Sequence, residues 1–237
     1  MERIAIDMDE VMADTAGTHR EWYNRDYGDT DTAVELQGRT LAQVRPDRKR
    51  EIDSYFGRED FFRQLKVMEH SQEVIRELSR HYEIFITTAA MEVPASFRAK
   101  YEWLQEHFGF LSDMNFVFCG DKSIIRADYM IDDNVNQLRR FRGQGILFSA
   151  PHNAGEQGFV RVDSWLDAGA WLMAKLRDAD EAAEEGGLRC CRNGISPCPC
   201  WRIGGSNLDR SCRAPLKRAR SCSLIRAATG TGWNRLR

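Results

Sequence analysis

Short apolar runs alternate with amphipathic stretches through the first three quarters of the chain. Arg3-Ile4-Ala5-Ile6-Asp7 is apolar up to a terminal carboxylate, as expected of a parallel strand covered on both faces. Ile84-Phe85-Ile86-Thr87-Thr88, Asn115-Phe116-Val117-Phe118-Cys119, the very short Tyr129-Met130-Ile131 and Gly145-Ile146-Leu147-Phe148 repeat the pattern. Between them the spacing turns helical. Val74, Ile75 and Leu78 form a stripe before the second run, a helix is expected from about Ala95 to Phe108, and a Trp- and Leu-rich helix from Ser164 to about Arg177 closes the unit. Strands alternating with helices predict an α/β fold with a parallel sheet.

The segment between the first two strands is too long for a simple crossover. It is helix-compatible, with turns near Tyr27-Gly28-Asp29 and Arg45-Pro46-Asp47. It predicts a small helical cap over residues 15–74, inserted after strand one into a core made of residues 1–14 and 75–180.

Composition adds a boundary. The 237 residues are 42% hydrophobic and 30% charged, which suits one core with a small appendage. No apolar run reaches the roughly 18 residues of a spanning helix, and the first residues show no apolar signal core. A cytoplasmic protein without a membrane partner is expected, and a homodimer is left open. The net charge of −2 hides an asymmetry, because Arg189 to Arg237 carries 11 basic residues and a lone acid, Asp209. Six of the 7 cysteines also lie there, from Cys190 to Cys222. Their spacings are not paired as in zinc sites, and no nucleic-acid-binding motif accompanies the arginines, so no nucleic-acid partner is expected. The composition resembles out-of-frame translation of a GC-rich gene. A basic, Cys-rich tail that is disordered or non-native is expected over residues 185–237.

Ligands on parallel sheets bind at the carboxyl ends of the strands. Asp7 and Asp9 follow strand one, Thr88 ends strand two, Lys122 lies past strand three, and Asp132 and Asp133 follow strand four. Four acids on one rim would repel unless a cation held them, and hard oxygen ligands favour Mg²⁺. Lys122 and the Thr88 hydroxyl suit an anion beside that metal. A carboxylate nucleophile, a second carboxylate for proton transfer, a metal and a lysine together describe a phosphoryl-transfer site.

In their order, Asp7-Met8-Asp9-Glu10-Val11, the strand ending in Thr88, Asp121-Lys122 and Ile131-Asp132-Asp133 resemble the four motifs of the haloacid dehalogenase (HAD) superfamily of phosphatases. The closer resemblance is to the 5′(3′)-deoxyribonucleotidases. It is carried by Asp7-Met8-Asp9-x-Val11-x-Ala13-Asp14, Phe85-Ile86-x-Thr88, Asp121-Lys122-Ser123 with Ala127-Asp128, Leu147-Phe148 with His152-Asn153, and Ser164-Trp165, over roughly residues 1–178. The resemblance implies a HAD-like Rossmannoid sheet with the cap after strand one. It implies Asp7 as the nucleophile that becomes an aspartyl-phosphate and Asp9 as the acid and base. Thr88 and Lys122 would hold phosphate, while Asp7, the Asp9 backbone carbonyl and one or both of Asp132 and Asp133 would hold Mg²⁺. The implied substrate is a (deoxy)nucleoside monophosphate; a HAD phosphatase for another small phosphate ester is the alternative. This chain also departs from animal members. Thr15 replaces an aromatic residue that helps clamp the base, Ala89-Ala90 replaces Ser-Pro, and the cap's aromatic pair has no clear counterpart. Thr15, Phe61 and Phe62 are the candidates for the substrate pocket. Aromatic residues in a small helical segment (Trp22, Tyr23, Tyr55, Phe56, Phe61 and Phe62) also serve as its core.

Overall fold

The computed structural model describes residues 1–192 except 31–35, 37 and 59; for residues 180 and 182–192 it describes the backbone alone. The tail expectation therefore lies, from residue 193 on, outside the described residues. Met1–Gly186 form one compact unit and Gly187–Arg237 a second.

Six strands make the central sheet: β1 (Arg3–Asp7), β4 (Glu83–Thr88), β5 (Phe116–Phe118), β6 (Tyr129–Asp132), β7 (Gln144–Phe148) and β8 (Val160–Val162). They run parallel in the order β5-β4-β1-β6-β7-β8. The expected α/β fold is thus present. Ile4, Ala5 and Ile6 of β1 are fully buried, because the strand lies centrally in a sheet covered on both faces. From β1 the chain moves outward through β4 to β5, then returns to β6 on the other side of β1, so the strand order switches at β1, where such folds place their sites.

A second pair, β2 (Ala13–Asp14) and β3 (Lys66–Val67), is antiparallel and closes the inserted segment, with Met68 N–H donating to the Met12 carbonyl at 2.8 Å. The chain leaves the sheet region at Asp14 and re-enters at Lys66, earlier than the expected return at residue 74. Helix α1 (Thr15–Tyr27) starts on Asp14, whose carboxylate accepts from Gly17 N–H at 2.8 Å. A Cβ at Gly17 would lie 2.2–2.6 Å from that carboxylate, which would have to swing off its cap to admit one. Short helices α2 (Leu41–Val44) and α3 (Lys49–Ser54) complete the described insertion. Its centre is aromatic: Phe61 meets His19, Trp22, Phe56 and Phe62 with ring centroids 5.1–5.7 Å apart.

Helices α4 (Ser71–Leu78), α5 (Phe97–Phe108), α6 (Val135–Arg140) and α7 (Trp165–Arg192) complete the fold. Trp103 of α5 donates its indole N–H to the Leu65 carbonyl at 2.9 Å, tying α5 to the insertion. Trp165 of α7 donates to the Val11 carbonyl at 2.7 Å and pins the loop after β1. Helix α7 runs 15 residues past its expected end. Ala and Glu dominate positions 179–185 and are strong helix formers, so the backbone continues beyond the last core residues, Leu172 and Leu176. Among the described residues, no helix is long and apolar enough to cross a membrane.

Candidate active site

The carboxyl ends of β1, β4 and β6 and the loop after β5 bring the candidate residues to one rim. Asp7 ends β1, and its Oδ1 is 2.5 Å from Lys122 Nζ; the same ammonium is 2.6 Å from Asp132 Oδ2. Lys122 is only 2% exposed and sits in a single turn of 3₁₀ helix capped by Asp121. Burial disfavours its charge, but Asp7 and Asp132 outweigh that and hold Lys122 above the ordinary lysine range. Burial pushes Asp7 well above the usual carboxylate range. Lys122 pulls it back, and Asp132, Asp133 and Asp9 add to the rise. Asp132 is raised for the same first reason. The pair is therefore short of positive charge.

Asp7, Asp132 and Asp133 each offer an oxygen within 4.8 Å of the others. All three are buried, so the donor set fits a hard divalent cation such as Mg²⁺. Asp133 is also 3.1 Å from His152 Nε2, and that hydrogen bond, against burial, raises the imidazole above its ordinary range. Asn153 braces the loop by donating to the Asp133 carbonyl at 2.9 Å and the Phe148 carbonyl at 2.8 Å.

Asp9 stands apart from the cluster. Its Oδ2 accepts from Lys100 Nζ at 2.6 Å and from the Thr88 hydroxyl at 3.3 Å, and its Oδ1 accepts from the Thr15 hydroxyl at 3.3 Å. Lys100 also donates to Thr88 Oγ1 at 3.1 Å and lies 4.8 Å from the Phe62 ring centroid. The rim thus holds two charge groups: Lys122 among the acids, and Lys100 on Asp9. Sequence reasoning missed Lys100, which reads as an ordinary helical lysine. Its signal was position: it precedes Trp103 and Leu104 by three and four residues and so shares their buried face.

Beside this rim lies a cavity of about 490 Å³. Glu10, Thr15, Pro151 and His152 form its core-side wall; Leu41, Ile52 and Phe56 belong to its cap side. Of the expected pocket residues, Thr15 reaches the wall, and its hydroxyl turns to Asp9. Phe62 packs on Phe56 and Phe61, with Lys100 Nζ 4.8 Å from its ring centroid, and is absent from the cavity wall. Phe61 is fully buried in the aromatic cluster and is absent from the cavity wall, because the small insertion needs it as its own core. Glu10 is the unexpected member. It is 8% exposed and adopts φ +59°, and its carboxyl accepts from Ala16 N–H. Burial, then Asp133, pushes it up to about 8.

Fold and site together define a HAD-like hydrolase acting on phosphate monoesters. A solved HAD-like hydrolase from Streptococcus pneumoniae superposes with a TM-score of 0.50 at 12% identity, covering 73% of this chain and 98% of that one. The family model for 5′ nucleotidase, deoxy (pyrimidine), cytosolic type C protein matches residues 2–177. A Bacillus subtilis protein named 5′(3′)-deoxyribonucleotidase is 40% identical over 168 residues, 68% of this chain and 93% of that protein. A Staphylococcus epidermidis protein, named as a candidate for the same activity, is 49% identical over 167 residues, 70% of this chain and 93% of its own. The chain belongs to this cytosolic type C 5′-nucleotidase family.

Proposed function

We propose that the chain is a Mg²⁺-dependent 5′(3′)-deoxyribonucleotidase that dephosphorylates (deoxy)nucleoside monophosphates through an aspartyl-phosphate on Asp7. The observation that carries this reading is the pairing of two carboxylates in different electrostatic settings on one rim. Asp7 is buried against Lys122 and other acids, while Asp9 is held by Lys100, Thr88 and Thr15. Two carboxylates two residues apart on one rim can divide the roles of nucleophile and proton carrier.

Asp7 Oδ attacks phosphorus, and the bond from phosphorus to the nucleoside oxygen breaks. Asp9 gives its proton to that leaving oxygen. Water then attacks the phosphorus of the aspartyl-phosphate, Asp9 takes its proton, and inorganic phosphate leaves with Asp7 restored. Lys122 and Thr88 offset the negative charge of the phosphoryl oxygens. Asp7, the Asp9 carbonyl and one or both of Asp132 and Asp133 would hold Mg²⁺, which would supply further positive charge for the phosphate. The cavity, at about 490 Å³, has room for a nucleoside and falls in the usual range for small-molecule sites.

Phosphate release from dUMP, dTMP, dGMP, UMP, a sugar phosphate and 4-nitrophenyl phosphate tests the reading. Nucleotides are expected to show the highest kcat/KM. An aryl or sugar phosphate that beats every nucleotide tenfold, about 1.4 kcal/mol of transition-state preference, would leave only the phosphatase class.

A further inference from the structure

We propose that His152 is a positioning residue for Mg²⁺, its imidazole holding the Asp133 carboxylate in the orientation that serves the ion. This rests on the Mg²⁺ part of the nucleotidase reading. The His152-Asn153 pair of the sequence takes no part in the chemistry at Asp7 and Asp9, yet sheet register puts it beside the acids. β6 and β7 pair with Asp132 opposite Leu147, so the loops that leave the two strands start side by side. The second loop contains a single 3₁₀ turn, Pro151–Asn153.

That turn is fastened from several directions. The buried Asn153 accepts on its side-chain oxygen from Ala150 N–H at 3.1 Å and from Arg161 Nη1 at 3.0 Å. Arg161 Nη2 donates to the Asn153 carbonyl at 3.0 Å, and from the insertion Gly38 N–H donates to the Pro151 carbonyl at 2.7 Å. Asn153 thus fixes the backbone of Asp133, and His152, its neighbour in the chain, meets the side chain, with Nε2 3.1 Å from Oδ2. A carboxylate only accepts, so the ring nitrogen at that distance is the donor. The other two acids are held differently. Lys122 pairs with both Asp7 and Asp132, and Asp132 Oδ1 also accepts from Asn134 N–H at 2.8 Å. Asp133 has no such lysine. Among the described residues, His152 is the one side chain that holds its carboxylate. A donor on one carboxylate oxygen fixes the direction of the other, and loss of such a support weakens metal binding by about 10–100-fold.

The test titrates Mg²⁺ alone into the full chain and follows the melting temperature, for the wild type, His152→Ala, His152→Leu and His152→Gln. The concentration dependence gives an apparent Kd for each. Alanine and leucine remove the donor, and leucine keeps most of the volume. Glutamine replaces the imidazole N–H with an amide N–H of similar reach. Mg²⁺ is expected to bind at least about tenfold more weakly to the alanine and leucine variants. The glutamine variant is expected to stay within about threefold of the wild type, a rescue that a purely structural role for the ring would not produce. The Mg²⁺ concentration for half-maximal turnover of dUMP should shift in parallel. Melting temperatures in EDTA identify a variant that fails to fold, and the other donor-free variant then decides. Unchanged Mg²⁺ binding in the donor-free variants would overturn the assignment of His152. So would tighter binding, which would make the imidazole a charge that competes with the ion, or a glutamine variant as weak as alanine. A wild type that Mg²⁺ neither stabilises nor activates would overturn the Mg²⁺ reading itself, and the assignment of His152 with it.

Discussion

Lys100→Met removes the charged partner of Asp9 while preserving much of the side-chain volume. Lys100 is 5% exposed, and its ammonium makes the shortest contact on the Asp9 carboxylate, 2.6 Å against 3.3 Å for each threonine. A hydrogen bond to a charged group contributes about 1.5–3 kcal/mol net. The Asp9 side chain keeps 27% exposure, so water screens part of this, and about 1.5–2 kcal/mol is the appropriate figure. Spent on holding the acid in line, that corresponds to about 10–30-fold in rate. The loss should depend on the leaving group. A nucleoside alkoxide needs a proton in the transition state, and 4-nitrophenolate does not. Steady-state kcat/KM reports the steps up to the aspartyl-phosphate, so it isolates this difference. Lys100→Met is expected to lower kcat/KM for dUMP by about 10–30-fold and for 4-nitrophenyl phosphate by less than about threefold, with KM for both little changed. Thr88 and Thr15 still hold Asp9, so the melting temperature should fall by only a few degrees. Equal losses on both substrates, or no loss on dUMP, would refute a proton-delivering Asp9 positioned by Lys100.

The remaining predictions concern the buried charges. Lys122→Met leaves Asp7 and Asp132 buried without their ammonium; the cost is about 3–5 kcal/mol, roughly 10 °C in melting temperature, and calorimetry with added Mg²⁺ should recover part of it if the acids hold a cation. Activity on dUMP should disappear in EDTA and return with Mg²⁺, whereas Ca²⁺ should restore little, because its looser shell does not reproduce octahedral coordination. The Glu10 carboxyl, ordinarily near 4.5, is raised to about 8 in the fold. Below pH 4.5 both folded and unfolded chains hold this proton. Between pH 4.5 and 8 the unfolded chain alone releases it, so stability present at low pH is lost as pH rises through 8, on the order of 4–5 kcal/mol. Melting temperatures measured in EDTA from pH 5 to 8.5 should therefore decline, and Glu10→Gln should flatten the decline; an equal slope in the variant would contradict the assignment.

Burial explains which strands the sequence could reveal. β1, β4, β6 and β7 are covered on both faces, so their apolar runs mark them to within about a residue of their ends. β8 is the three-residue run Val-Arg-Val with a charged residue at its centre, and β2 and β3 have two residues each, too short for any period. The acids of the rim were legible because each terminates or follows a strand. Lys100 and Glu10 were not. A lysine on a helix and a glutamate after a strand are ordinary surface residues in a sequence, and only tertiary packing makes each a buried group. The same packing takes Phe61 out of the pocket, since the aromatic core of the insertion and an aromatic base clamp share one composition.

Phosphate release from dUMP by Asp7→Asn, with Mg²⁺ present and folding verified by calorimetry, tests the central claim most directly. The amide carbonyl of the asparagine can still accept from Lys122, but the side chain cannot form the aspartyl-phosphate. The account predicts turnover indistinguishable from the uncatalysed background in a folded protein. A folded Asp7→Asn enzyme that retains more than a few per cent of wild-type kcat would contradict it.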